Sequence, residues 1–201
     1  MQKVLLSLAS LYLLAFAAAT PASVIVSIVP DTQTIGLGSP IEVAIRIAGL
    51  GNGTALGAYD LNVSFDTALL SFQSAQFGDP TLGDQLDLAN LGLSSPLALP
   101  GTGTVNLIET SLDPTNLLTS QQAPDFILAT LFFSSLGLGN TPVTLTLNSL
   151  ADADGLALSA TPQFGDVNVA AVPLPLSFLL MLSGLGVFPL AQKWPKIART
   201  A

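Results

Sequence analysis

The chain has 201 residues, half of them hydrophobic and only 9% charged, with a mean hydropathy of +0.65 and a formal charge of −8. It contains no cysteine and no histidine, which removes disulfide scaffolds, thiol nucleophiles, the usual general base and the commonest transition-metal ligand. Thirteen acids against five bases exclude a phosphate-tracking nucleic-acid binder, and the apolar content with so little charge excludes a disordered chain.

Residues 1–22 read as a signal peptide. Lys3 is a short positive region, Val4 to Phe16 an apolar core, and Ala17-Ala18-Ala19 the small residues that a signal peptidase requires. Cleavage after Ala19 fits best, and after Ala22 next. The core is short for a membrane span.

Residues 23–170 form one domain of 148 residues. It holds all thirteen acids and a single base, Arg46, so its formal charge is −12. Such a surface is soluble and repelled by anionic surfaces. Val24 to Val29 is a β-branched run. Ile41, Val43, Ile45 and Ile47 alternate with polar or small residues, and Tyr59, Leu61, Val63 and Phe65 alternate with Asp60, Asn62 and Ser64. Thr144 and Thr146 interleave with Val143, Leu145 and Leu147. A period of two marks strands with one buried face. Thr104 to Thr110, Phe126 to Ser134, Leu156 to Leu158 and Asp166 to Val169 complete a set of about eight or nine strands. Turns are predicted at Gly36 to Pro40, Gly49 to Gly53, Pro100 to Gly103 and Gly137 to Pro142. Asp66 to Leu70 carries one turn of helix, and Gly78 to Pro100 reads as a loop with a short helix. The expectation is an all-β sandwich.

Little in this domain suggests catalysis. A glycosidase needs two carboxylates at a set separation. Glu42 lies on the polar phase of a strand and Glu109 near a strand end, both expected in solvent, and nothing pairs them. A serine nucleophile would lack a histidine or lysine partner. The domain's one tyrosine, Tyr59, falls in phase with core positions, so no flat aromatic sugar platform is expected. The best metal candidate is Asp152-Ala153-Asp154-Gly155, which resembles the start of a calcium loop, with Asp166 a further ligand from the next strand. The distal glutamate of an EF-hand loop is missing, and a plain Asp-Gly turn is the simpler reading.

The order of these pieces resembles a cohesin-type domain. SIVPDTQTIGLGSPIEVAIRIAGL matches its opening strands, GAYDLNVSFDTALLSF (Gly57 to Phe72) its most recognisable stretch, and ADADGLALSATPQFGDVNVA its closing strands. The resemblance implies a jelly-roll sandwich related to carbohydrate-binding modules and used elsewhere to bind dockerins. Gly78 to Pro100 departs from a compact cohesin.

Residues 171–201 form a tail. Leu174 to Ala191 is an 18-residue stretch without charge, roughly 27 Å long as a helix and close to the hydrocarbon thickness. Lys193, Lys196 and Arg199 follow, which by the positive-inside rule keeps the end cytoplasmic and exports the domain. Val172-Pro173-Leu174-Pro175, the span and the basic end together resemble the PEP-CTERM sorting tail in its VPLP form. That resemblance implies an exosortase partner in a Gram-negative bacterium, processing of the tail, and delivery of the domain to the cell surface or extracellular matrix. The expected function is non-enzymatic binding or matrix building. A dockerin-binding scaffold and an exported polysaccharide-active hydrolase are the alternatives.

Overall fold

Alternation of buried and exposed side chains builds two sheets that close on a single apolar layer. The computed structural model describes residues 23–51 and 53–171. The signal peptide with its cleavage sites, and the tail from Val172 onward, lie outside the described residues. Among the described residues no helix is long and apolar enough to cross a membrane.

In chain order the strands are β1 (Val24–Val29), β2 (Thr32–Gly36), β3 (Pro40–Ala48), β4 (Leu56–Ser64), β5 (Leu70–Phe77), β6 (Leu97–Gly101), β7 (Thr104–Thr110), β8 (Asp125–Ser135), β9 (Gly139–Asp152), β10 (Ala160–Gln163) and β11 (Gly165–Ala170). One short helix, α1 (Thr115–Gln121), precedes β8. A five-stranded sheet runs β10-β1-β3-β8-β5, and a six-stranded sheet runs β2-β11-β9-β4-β7-β6. The expected phase holds: Ile41, Val43, Ile45 and Ile47 on β3 and Tyr59, Leu61 and Val63 on β4 are all buried. Each fully buried aliphatic side chain contributes about 1.5–3 kcal/mol. Near one end of the core Phe133 of β8 packs with Phe65, edge-on at 5.0 Å, and Phe72, edge-on at 5.8 Å.

Both terminal segments change sheets. β1 passes into β2, and β10 into β11, each pair crossing from the five-stranded to the six-stranded sheet. β1 lies parallel to β10 and β2 parallel to β11. At the crossing, the Asp166 N–H donates to the Asp31 carbonyl at 2.8 Å. Gly165 makes this approach possible, since a Cβ there would stand 2.6 Å from Ile28 Cγ2.

Several local expectations change. Gly137 to Pro142 is not simply a turn, because β9 begins at Gly139 and includes Pro142. Pro142 pairs only with Asp166 of β11, whereas β4 joins β9 from Thr144. On its other side β9 is therefore an edge at this point, where a missing N–H costs little. Leu156 to Leu158 forms no regular strand; it folds back on β9 through an Ala151–Ala157 bridge, and β10 starts at Ala160. Gly78 to Pro100 contains no helix. Its acids fold it instead: Asp79 Oδ1 accepts from the Thr81 and Leu82 amides, and the Asp87 carboxylate accepts from those of Leu91 and Gly92. β6 takes the end of that segment. Asp66 to Leu70 does make its single turn, with the Leu70 N–H bonded to the Asp66 carbonyl at 2.9 Å.

Candidate functional site

The inward phase of β4 sends Asp60, Asn62 and Ser64 to the outer face of the six-stranded sheet. Register sets Asn106 of β7 beside Asn62 and Ile108 beside Asp60. On the other side, Thr144 of β9 stands beside Ser64, Thr146 beside Asn62 and Ser149 beside Asp60. The β4–β9 register shifts between Asp60 and Leu61, leaving Asn148 as an extra residue on β9. A bulge of this kind redirects a side chain, and the Asn148 amide donates to Asp60 Oδ1 at 2.8 Å. The Asn106 amide donates to the same oxygen at 2.6 Å, and the Asn62 amide to Asn148 Oδ1 at 3.3 Å. Hydrogen bonds to an ionised acceptor are among the stronger ones. They join a carboxylate and three amides across three strands.

An apolar strip borders this ladder. Leu97 and Leu99 of the edge strand β6 lie opposite Ile108 and Asn106, and are 46% and 49% exposed. Fixed polar groups thus stand beside exposed leucines on one face of the sheet. The sequence placed Asp60 and Asn62 on the polar phase, and Asn106 follows from the same alternation in Thr104 to Thr110. Asn148 escapes simple alternation because the bulge breaks the phase.

The catalytic candidates do not meet. Glu42 is exposed on the outer face of the five-stranded sheet. The expectation that Glu109 lies in solvent is overturned: its side chain points into the sandwich and is 1% exposed. β7 alternates regularly, and Glu109 falls on the inward phase with Val105 and Leu107. Directly across the register, the Tyr59 hydroxyl donates to Glu109 Oε2 at 2.9 Å. Burial, then the nearby Asp84 charge, push the Glu109 carboxyl up from 4.5 to about 7. Burial, followed by the Glu109 charge, likewise drives the Tyr59 hydroxyl far above its usual value. An open groove lined by Ser64, Phe65, Asp66, Asn140 and Thr141 carries a single carboxylate.

Of the three metal candidates, Asp152 and Asp154 share one turn and Asp166 stands apart. Asp152 Oδ1 accepts from the Asp154 N–H at 3.0 Å and the Leu156 N–H at 2.9 Å, closing the turn before Gly155. Asp166 stands opposite Pro142, at the other end of β9. At the usual strand rise that is roughly 30 Å from Asp152. Among the described residues no group of three or more acidic side chains is placed to hold a metal ion.

The one base of the domain, Arg46, pairs with Asp125 through two guanidinium nitrogens. The bond to Asp125 raises the Arg46 pKa further.

No family model matches the chain, and no curated protein matches it. Solved structures do. The sixth cohesin of scaffoldin B from Acetivibrio cellulolyticus, solved in complex with a mutant dockerin, is 18% identical with a TM-score of 0.59, over 74% of this chain and 99% of that one. CaCohA2 from Clostridium acetobutylicum is 22% identical with a TM-score of 0.57, over 76% of this chain and 94% of that one. A non-cellulosomal cohesin from the archaeon Archaeoglobus fulgidus is 16% identical with a TM-score of 0.55, over 75% and 93%. The sandwich has the cohesin fold.

Proposed function

We propose that this chain is a non-enzymatic, exported binding protein whose cohesin-like sandwich engages a protein partner through the outer face of the six-stranded sheet. The observation that carries this reading is the Asp60 carboxylate, fixed by Asn106 and Asn148 beside Leu97 and Leu99. Fixed polar groups lose little freedom when a partner docks. The domain's strong negative charge favours a partner with a basic docking surface. The A. cellulolyticus neighbour was solved bound to a dockerin, so a dockerin-like module is the first partner to try. The hydrolase alternative is disfavoured by the separation of Glu42 and Glu109 onto different sheets.

Export and sorting complete the proposal. The signal peptide ending at Ala19 or Ala22 would take the chain out of the cytoplasm. The motif Val172-Pro173-Leu174-Pro175 would then present the tail to an exosortase, for delivery to the cell surface or matrix. Prolines keep such a segment extended and open to processing. Replacing Pro173 and Pro175 with alanine should leave export intact and block processing. Mass spectrometry of the mature C-terminus reads the outcome, and Lys193 to Ala201 retained in wild type as well as mutant would refute the sorting step.

The binding reading is tested by photo-crosslinking in cells. A crosslinker at Asn62 should capture a defined protein, and one at Ala44 on the opposite sheet should not. Equal capture from both positions, or release of sugar from polysaccharides by the purified chain, would overturn it.

A further inference from the structure

The long loop between β5 and β6, Gly78 to Pro96, is fastened over one end of the sandwich. Gln122, just past α1, donates to the Gln85 carbonyl at 2.9 Å, and Gln85 Oε1 accepts from the Ala123 N–H. The returning half of the loop lies along the end of β7. The Leu112 N–H donates to the Leu93 carbonyl at 2.6 Å, and the Ser95 N–H to the Thr110 carbonyl at 3.1 Å. Between these attachments stands Asp84. Its Oδ1 accepts from the Leu86 N–H at 2.8 Å and its Oδ2 from the Ser94 hydroxyl at 2.9 Å. Ser94, whose hydroxyl bonds Asp84, and Ser95 stand against Ser111 and Thr110, the residues that follow Glu109, so the loop carries Asp84 to the same end of β7 as this inward-facing acid, and the Asp84 charge helps to push the Glu109 carboxyl up.

This is a meeting of two carboxyl groups at the edge of the core with no cation to separate them. Tyr59, from β4, satisfies Glu109 Oε2. Glu109 Oε1 has no hydrogen-bond partner among the described residues. Tyr59 faces Glu109 from β4, and the loop brings Asp84 and Ser94 to the same end of β7. Arg46, the single base of residues 23–170, is committed to Asp125 between β3 and β8. Two ionised carboxylates this close, in a setting of low dielectric, repel strongly. A proton on Glu109 removes that repulsion and gives its unpartnered oxygen an O–H to donate.

We propose that Glu109 and Asp84 form a proton-operated latch that holds the loop 78–96 on the end of β7, closed when Glu109 carries a proton and released when it ionises. The raised value near 7 places this transition in the physiological range. The latch lies one residue from the proposed binding face, since Tyr59 precedes Asp60 and Glu109 follows Ile108. It stands without that face being the partner site.

The test is hydrogen exchange of the full chain between pH 5.5 and 8.5, expressed as protection after correction for the intrinsic pH dependence of exchange. The Leu86, Ser95 and Leu112 amides should lose protection about tenfold or more across this range, as a shift of one or more pKa units requires. In E109Q the side chain carries no charge, so protection should stay high at every pH. In D84N the repulsion is gone, and the midpoint should fall by about a unit or more. Protection that is independent of pH in the wild type, or that declines equally in E109Q, overturns the latch. So does an unchanged midpoint in D84N, which keeps the question decidable if E109Q does not fold.

Discussion

Tyr59 and Glu109 are register partners on β4 and β7, and the phenol donates to the carboxyl at 2.9 Å inside the sandwich. The two polar groups occupy core positions that alternation would assign to apolar residues. Each supplies what the other needs: Tyr59 is a buried donor and Glu109 a buried acceptor. A buried carboxyl of raised pKa is a recurrent mark of functional sites. Here it borders the loop 78–96, whose Asp84 charge helps to raise it.

Stability should therefore depend on Glu109. Its folded value lies above its unfolded one, so between about pH 4.5 and 7 the native state holds more protons than the unfolded state. Stability from this group is whole below that window and falls as pH rises through it. The loss is at most about 3.5 kcal/mol, at roughly 1.4 kcal/mol per unit. Chemical denaturation at pH 5 and pH 8 should show the wild type losing more stability than E109Q. Tyr59→Phe should cost about 1–3 kcal/mol at both pH values, because a buried acceptor loses its donor. Asp79 acts in the opposite sense at lower pH. Burial pushes its carboxyl up, but the amides of Ile127, Leu82 and Thr81 together outweigh that and hold it below 3.8. Its contribution is lost as pH falls through that lower range.

Val63→Asp or Ile45→Asp should unfold the domain. Both side chains are fully buried, and burying an unpaired charge costs several kcal/mol, comparable to a domain's whole stability. Asn62→Asp, on the outer face, should change the melting temperature little. Equal melting points for all three would contradict the strand phase.

Alternation showed which residues of β3 and β4 face the core, because Ile41 to Ile47 and Tyr59 to Val63 each carry a clean period of two. It failed where the chain departs from that period. Leu128 is the extra residue of a bulge where β8 meets Ile45 and Arg46, so Leu128 and Ala129 are buried in succession. β2 (TQTIG) has too few apolar residues to declare itself, and α1 is too short for a helical stripe. Glu109 was misplaced because its charge outweighed its phase, although Val105 and Leu107 had already set that phase. Of the binding face, Asp60 and Asn62 were legible. Their fixation by Asn148 depends on a bulge that no local pattern announces.

Gly57→Ala should destabilise by about 1–3 kcal/mol, the usual cost of forcing extra volume into a packed site. A Cβ there would stand 2.4 Å from the Asp152 carbonyl oxygen. That oxygen is backbone and can retreat only by disturbing the β4–β9 pairing. Denaturant titration reads the loss, and a neutral substitution would contradict the close approach.

Calcium should make no difference to folding. Asp152 Oδ1 is engaged by the Asp154 and Leu156 amides, and Asp166 sits at the far end of β9. Melting curves with millimolar calcium and with chelator should coincide. An upward shift with calcium that Asp152→Asn abolishes would restore the calcium-loop reading.

The binding face is tested most directly by calorimetric titration of the full chain with dockerin modules, comparing wild type with the double variant D60A/N106A and with E42A on the opposite sheet. The account predicts saturable binding that weakens at least about tenfold in D60A/N106A, the loss of about 1.4 kcal/mol or more expected for interface anchors. E42A should bind like wild type, and all three should remain folded at the titration temperature. Affinity unchanged in D60A/N106A but lost in E42A, or no binding to any dockerin tried, would contradict it.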